Sequence, residues 1–122
     1  MENQSTLIRS NAKEIVSRCM AAINNEDFEN ARKLVHADFK FDGVLGSRDG
    51  AEAYFRDMEK MRLKYDVKKI FADGDDVCVF YNLNMSGVSV FCCGWYQVVQ
   101  EKIKFLKVVF DPRPVLQSSS RR

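Results

Sequence analysis

Between Asp76 and Asp111 the chain reads DVCVFYNLNMSGVSVFCCGWYQVVQEKIKFLKVVFD, holding most of its β-branched and aromatic residues between turn-like breaks. Runs that alternate in this way are the pattern of strands, because a period of two sends successive side chains to opposite faces. Three long antiparallel strands are predicted here. In the first, Val77, Val79, Tyr81, Leu83 and Met85 alternate with Cys78, Phe80, Asn82 and Asn84, giving one wholly apolar face and one mixed face. The mixed face is the expected border of a pocket.

What precedes this stretch must cover it. Ile8, Ala12, Ile15, Val16, Cys19, Met20 and Ile23 recur at three- and four-residue intervals, which predicts a long amphipathic helix ended by Asn24 and Asn25. Asp27 is placed to cap a shorter helix whose stripe is Phe28, Ala31, Leu34 and Val35. Phe39 and Phe41 then alternate with Asp38, Lys40 and Asp42 in a short strand ending at Gly43. Asp49 and Glu52 have the spacing of a capping box before a third helix with Ala51, Tyr54, Phe55, Met58 and Met61 on its apolar face. A strand from Lys64 to Ala72 is expected to put Val67 and Phe71 on one face and Ile70 and Ala72 on the other, before a turn at residues 73–76. After Asp111 the pattern stops at Pro112 and Pro114, so one domain over residues 1–111 and a mobile tail over 112–122 are expected.

Composition narrows the functional classes. A chain of 122 residues suffices for one core without a metal or disulfide, and a net charge of +2 from 19 basic and 17 acidic residues offers no field for nucleic acid or an anionic membrane. No apolar run approaches a membrane span, and MENQSTLIRS lacks the features of a signal peptide, so the cytoplasm is the expected location. The four cysteines show no metal-ligand spacing and are read as buried free thiols. No cofactor motif is present, and neither a cofactor nor a metal is expected.

Helix, helix, strand, helix and four further strands make an α+β order, with helices on one face of an antiparallel sheet. With LVHADFKFDG at 34–43, GSRDGAEAYF at 46–55 and EKIKFLKVVFD at 101–111, this order resembles the SnoaL-like and ketosteroid isomerase-like proteins of the nuclear transport factor 2-like superfamily. The resemblance implies a cone-shaped curved sheet, cystatin-like in outline, wrapped around three N-terminal helices, with a cavity between them. It also implies pairing of two chains through the sheet, and either isomerase, cyclase or lyase chemistry in the cavity or binding alone.

The lining residues must therefore decide. Glu101 is the sole acid between Val77 and Phe110, which leaves no second carboxylate of the kind ketosteroid isomerases use. The absence of arginine between Leu63 and Pro112 likewise excludes the aspartate and arginine array of limonene epoxide hydrolases, and a single histidine excludes a scytalone-type dehydratase pair. Asp42 falls near the place of the isomerase base, although strand alternation sends it to solvent unless a bulge near Gly43 reverses it. Asn82 and Asn84 are candidates to orient a ligand carbonyl, or else to bond backbone or water. Tyr54, Trp95 and Gln97 are candidate ligand contacts, and of Trp95 and Tyr96 only one can face a pocket. His36 fits a surface or capping position, and Met58 and Met61 fit core packing.

Two functions remain. One is a binder of an apolar, carbonyl-bearing ligand, or a weak enzyme with Asp42 as base. The other is a dimerisation or interaction module whose cone is filled by side chains such as Phe80, Phe91 or Trp95. In either case both faces of the central strand carry apolar residues while helices can cover only one, so a homodimer through the sheet is expected.

Overall fold

The computed structural model describes residues 11–85 and 87–120. Helix α1 spans Ala12–Asn24, and its first turn is closed by Asn11, whose side chain accepts from the Glu14 amide at 2.8 Å. Helix α2, Phe28–Lys33, is capped by Asp27 as its sequence predicts. Strand β1 (Val35–Asp42) follows directly, so Leu34 and Val35 fall outside the helix that their spacing predicts, and His36 lies within a strand rather than a loop. Ile8, expected at the start of the first stripe, lies outside the described residues.

Next come β2 (Ser47–Asp49), α3 (Ala51–Met61), β3 (Lys64–Asp73), β4 (Asp76–Met85), β5 (Val88–Val99) and β6 (Lys102–Phe110). The capping box expected at Asp49 does not form. Asp49 belongs to β2, and Gly50 caps α3 with φ of +93°, a backbone conformation that favours glycine. Beyond β6, where the periodic pattern ends, the chain forms α4 (Arg113–Ser120), and Val115 packs against the core.

The six strands form one sheet in the order β2-β1-β6-β5-β4-β3. It is mixed rather than wholly antiparallel, because β1 returns to lie parallel to β6. Register shifts interrupt the β1–β6, β3–β4 and β5–β6 ladders. An extra residue on one strand bends it and increases its twist, which is how a sheet of this size curls around helices. The shift between Val67 and Lys69 also changes parity, so Val67 pairs with Tyr81 while Phe71 pairs with Cys78. Val67 and Phe71 therefore lie on opposite faces, contrary to simple alternation.

The wholly apolar face of β4 is the one the helices cover. Val77, Val79, Tyr81 and Leu83 are buried together with Ile15, Val16, Cys19, Met20 and Ile23 of α1 and with Phe55 and Met58 of α3. Phe39 of β1 closes the other side of this core and is 1% exposed. Truncating Phe39 to alanine is expected to cost about 3–5 kcal/mol, the range for a buried aromatic whose site cannot fully collapse. Urea denaturation of Phe39→Ala beside the parent chain measures this, and an unchanged midpoint would contradict the placement.

Candidate functional site

Inside the cone the prominent chemical groups are phenols. All four tyrosines of the chain, Tyr54, Tyr65, Tyr81 and Tyr96, are buried on the helix-facing side. Each arrives from a different element: α3, β3, β4 and β5. Tyr65 meets Tyr81 edge-on at 5.2 Å, and Tyr54 touches Phe39 at 4.8 Å and Phe55 at 5.3 Å.

Two devices hold this group. The Asn24 side chain imitates a neighbouring strand, donating to the Tyr65 carbonyl at 2.9 Å and accepting from the Tyr65 amide at 2.8 Å, which ties the end of α1 to β3. Gly94 makes room in β5, since a Cβ there would stand 3.2 Å from the Tyr96 ring and 3.3 Å from the Tyr81 ring. Neither residue is conspicuous in the sequence. Asn24 looks like a helix terminator, and a glycine inside a strand signals only some close approach.

Between the rings lies a cavity of about 10 Å³, bordered by Cys19, Met20, Phe39, Tyr54, Tyr65 and Tyr96 among others. That is about the room one water needs. Burial pushes all four phenols above their ordinary range, and the neighbouring tyrosine and cysteine groups add to the rise. The interaction between the Tyr54 and Tyr65 side chains raises Tyr65 further and partly offsets the rise at Tyr54. Burial also pushes the Cys19 thiol up to about 12. At neutral pH the phenols around this mostly apolar cavity are thus protonated. Among the described residues no polar or charged residue outside this set is buried, so the cone holds no carboxylate that could act as a base.

The structure separates the candidate residues. Tyr54 faces the cone. Asp42 points the other way, where Lys107 donates to it at 2.8 Å and leaves its side chain half exposed. No bulge reverses it, because Phe41 and Asp42 keep consecutive register with Leu106 and Lys107. Asn82 and Asn84 also lie on the outer face, opposite Phe91 and Ser89 of β5, so neither lines the cone. Trp95 and Gln97 share that face, with the Trp95 indole donating to Asp76 at 2.9 Å, while Tyr96 takes the inward place. Phe80, Phe91 and Trp95 do not plug the cone. Among the described residues, tyrosines and Met20 occupy the inward positions instead.

The outer face is correspondingly aromatic. Phe71, Phe80 and Phe91 form a ridge across β3, β4 and β5 with ring separations of 6.1 Å, and Trp95 meets Phe105 at 5.7 Å. Phe91 is 59% exposed and Phe71 54%.

The raised phenols fix a pH dependence. A group whose folded pKa exceeds its unfolded value of about 10 stabilises fully below pH 10, and that contribution is lost as pH climbs towards the folded pKa. Each fully buried tyrosine should then remove stability at about 1.4 kcal/mol per pH unit above 10. Phenolate absorption is expected to appear together with cooperative alkaline unfolding, and a smooth titration near pH 10 in the folded chain would contradict the buried cluster.

Residues 16–106 match the family model described as a SnoaL-like domain. A nuclear transport factor 2-like protein of unknown function from Cytophaga hutchinsonii is similar, with 40% identity over 88% of this chain and 96% of that one and a TM-score of 0.86. An epoxide hydrolase of M. tuberculosis, like limonene epoxide hydrolases, shares 23% identity over 90% of each chain with a TM-score of 0.74. A de novo designed protein with a curved β-sheet shares 18% over 90% of this chain and 94% of that one, with a TM-score of 0.72. Among curated proteins no match is found. A curved sheet enclosing N-terminal helices, together with a family match over most of its length, makes this chain a member of the SnoaL-like family within the nuclear transport factor 2-like fold.

Proposed function

We propose that this SnoaL-like chain acts as a homodimer assembled through the outer face of its sheet, with the cone serving as packed core rather than as a reaction chamber. One observation carries the reading: the space enclosed by the described residues between α1 and the tyrosine rings is about 10 Å³, while aromatic rings stand exposed in a ridge on the other side. An apolar patch of that kind is costly to leave in water, and a two-fold partner offering the same surface is the simplest cover. The four free cysteines suit a reducing compartment, and we place the protein in the cytoplasm. Light scattering at micromolar concentration should give about 28 kDa, twice the chain's 14.1 kDa. Phe91→Lys, which puts a charge into the ridge without touching the core, should return the mass to that of one chain. A parent protein that already scatters as one chain would end the proposal.

The apolar lining of the cavity, with Tyr54, Tyr65 and Tyr96 at its border, favours a second reading, the binding of a small apolar ligand whose carbonyl one of these phenols turns to meet. Met20 borders the space, and a flexible thioether is the kind of side chain that yields to a ligand. With Asp42 on the outer face, this role is binding rather than base catalysis. Calorimetry with cyclohexanone is expected to show saturable heat, weakened by about 0.5–1.5 kcal/mol in Tyr65→Phe. No heat from the parent protein would reject this reading and leave the first intact.

A further inference from the structure

The outer face carries a second feature, two cysteines that the β4–β5 pairing brings together from fifteen residues apart. Cys78 lies opposite Trp95 and Cys93 opposite Phe80, so the two are diagonal neighbours, and their sulfurs are 3.4 Å apart. We propose that Cys78 and Cys93 form a two-thiolate site for a thiophilic metal ion.

Geometry favours an inserted ion over a disulfide. Diagonal positions on paired strands have Cα atoms about 7–8 Å apart, beyond the usual disulfide reach of about 4.4–6.8 Å, and bonding would pull the sulfurs together to about 2.05 Å. An ion with metal–sulfur bonds of about 2.3 Å fits the pair as it stands, with a sulfur–metal–sulfur angle of about 95°. A small rotation of either thiol widens this towards tetrahedral.

The surroundings support the same use. Phe71 and Trp95 stand opposite Cys78 on its two neighbouring strands, and Phe80 and Val109 stand opposite Cys93. These apolar walls lower the local dielectric and strengthen bonds between thiolate and cation. Cys92, although adjacent in sequence, faces the core and bonds toward the Val90 carbonyl, so the pair that can chelate is 78 and 93. Burial and the contact with Cys78 push the Cys93 thiol up to about 11, so Cys93 is protonated at neutral pH until an ion displaces its proton.

Binding involves no change of oxidation state. Each thiol releases its proton to solvent, each sulfur donates an electron pair to the ion, and the ion gives up two waters. Among the described residues no group of three metal-binding side chains gathers, so the remaining positions fall to solvent or to the same pair on a second copy. The site is complete within one chain as a two-sulfur clasp and does not rest on dimerisation.

The test is a titration of the reduced full chain with cadmium, followed by ultraviolet thiolate-to-cadmium absorption. Saturation at one ion per chain, or at one ion per two chains where two copies share it, is the expected result, and Cys78→Ser and Cys93→Ser should each abolish the band. Iodoacetamide labelling of the parent chain provides a check that needs no variant, since cadmium should shield Cys78 and Cys93 from alkylation. No saturable band, a band that survives both substitutions, or shielding confined to Cys19 and Cys92 would overturn the proposal. Light scattering of the metal-free chain separates this outcome from that of the dimer.

Discussion

The burial of one row of β4, Val77, Val79, Tyr81 and Leu83, beneath α1 is the constraint on which the rest of the structure depends. A strand's side chains alternate strictly, so placing this row inward sends Cys78, Phe80, Asn82 and Asn84 outward. Register then carries the choice across the sheet. Tyr96 faces in because it pairs with Val77, Trp95 faces out because it pairs with Cys78, and Lys107 and Asp42 follow Trp95 to the outer face. The filled cone, the external ion pair, the aromatic ridge and the thiol pair are consequences of one parity.

Curvature makes that inner face a cone rather than a plane. The register shifts bend the strands, and Asn24 fixes where the sheet meets α1 by giving Tyr65 the two hydrogen bonds that a neighbouring strand would have supplied. Once the sheet closes on the helices, the rings of four elements converge and little volume is left. Gly94 permits the convergence, because a side chain at that position would meet both Tyr81 and Tyr96.

Local periodicity therefore revealed the elements better than the site. The stripe from Ala12 to Ile23, the Asp27 cap, the two-residue connection after Asp73 and the three-strand meander follow from spacing and turn chemistry alone. Which face of β4 the helices would choose does not, because both rows carry apolar residues and the decision rests on contacts distant in sequence. Asn82 and Asn84 stand on the mixed row, where a pocket is expected, yet the helices cover the more apolar row, as the hydrophobic effect favours. The parallel return of β1 and the parity change at Lys68 were equally hidden, since neither alters a local pattern. Alternation allows only one of Trp95 and Tyr96 to face inward, and long-range register selects Tyr96.

The same curved architecture occurs in an epoxide hydrolase and in a designed protein, so the sheet is a scaffold to which an activity must be added by particular side chains. In this chain the polar groups of the interior are phenols held protonated by burial, which can donate a hydrogen bond but are poor proton acceptors at neutral pH. Carboxylates sit outside, Asp42 with Lys107 and Asp76 with Trp95. To turn Asp42 or Asp76 inward would go against strand parity, at the cost of burying an unpaired charge. The less costly adaptation of this sequence is on its outer face, where aromatic rings already stand in contact and two sulfurs already converge.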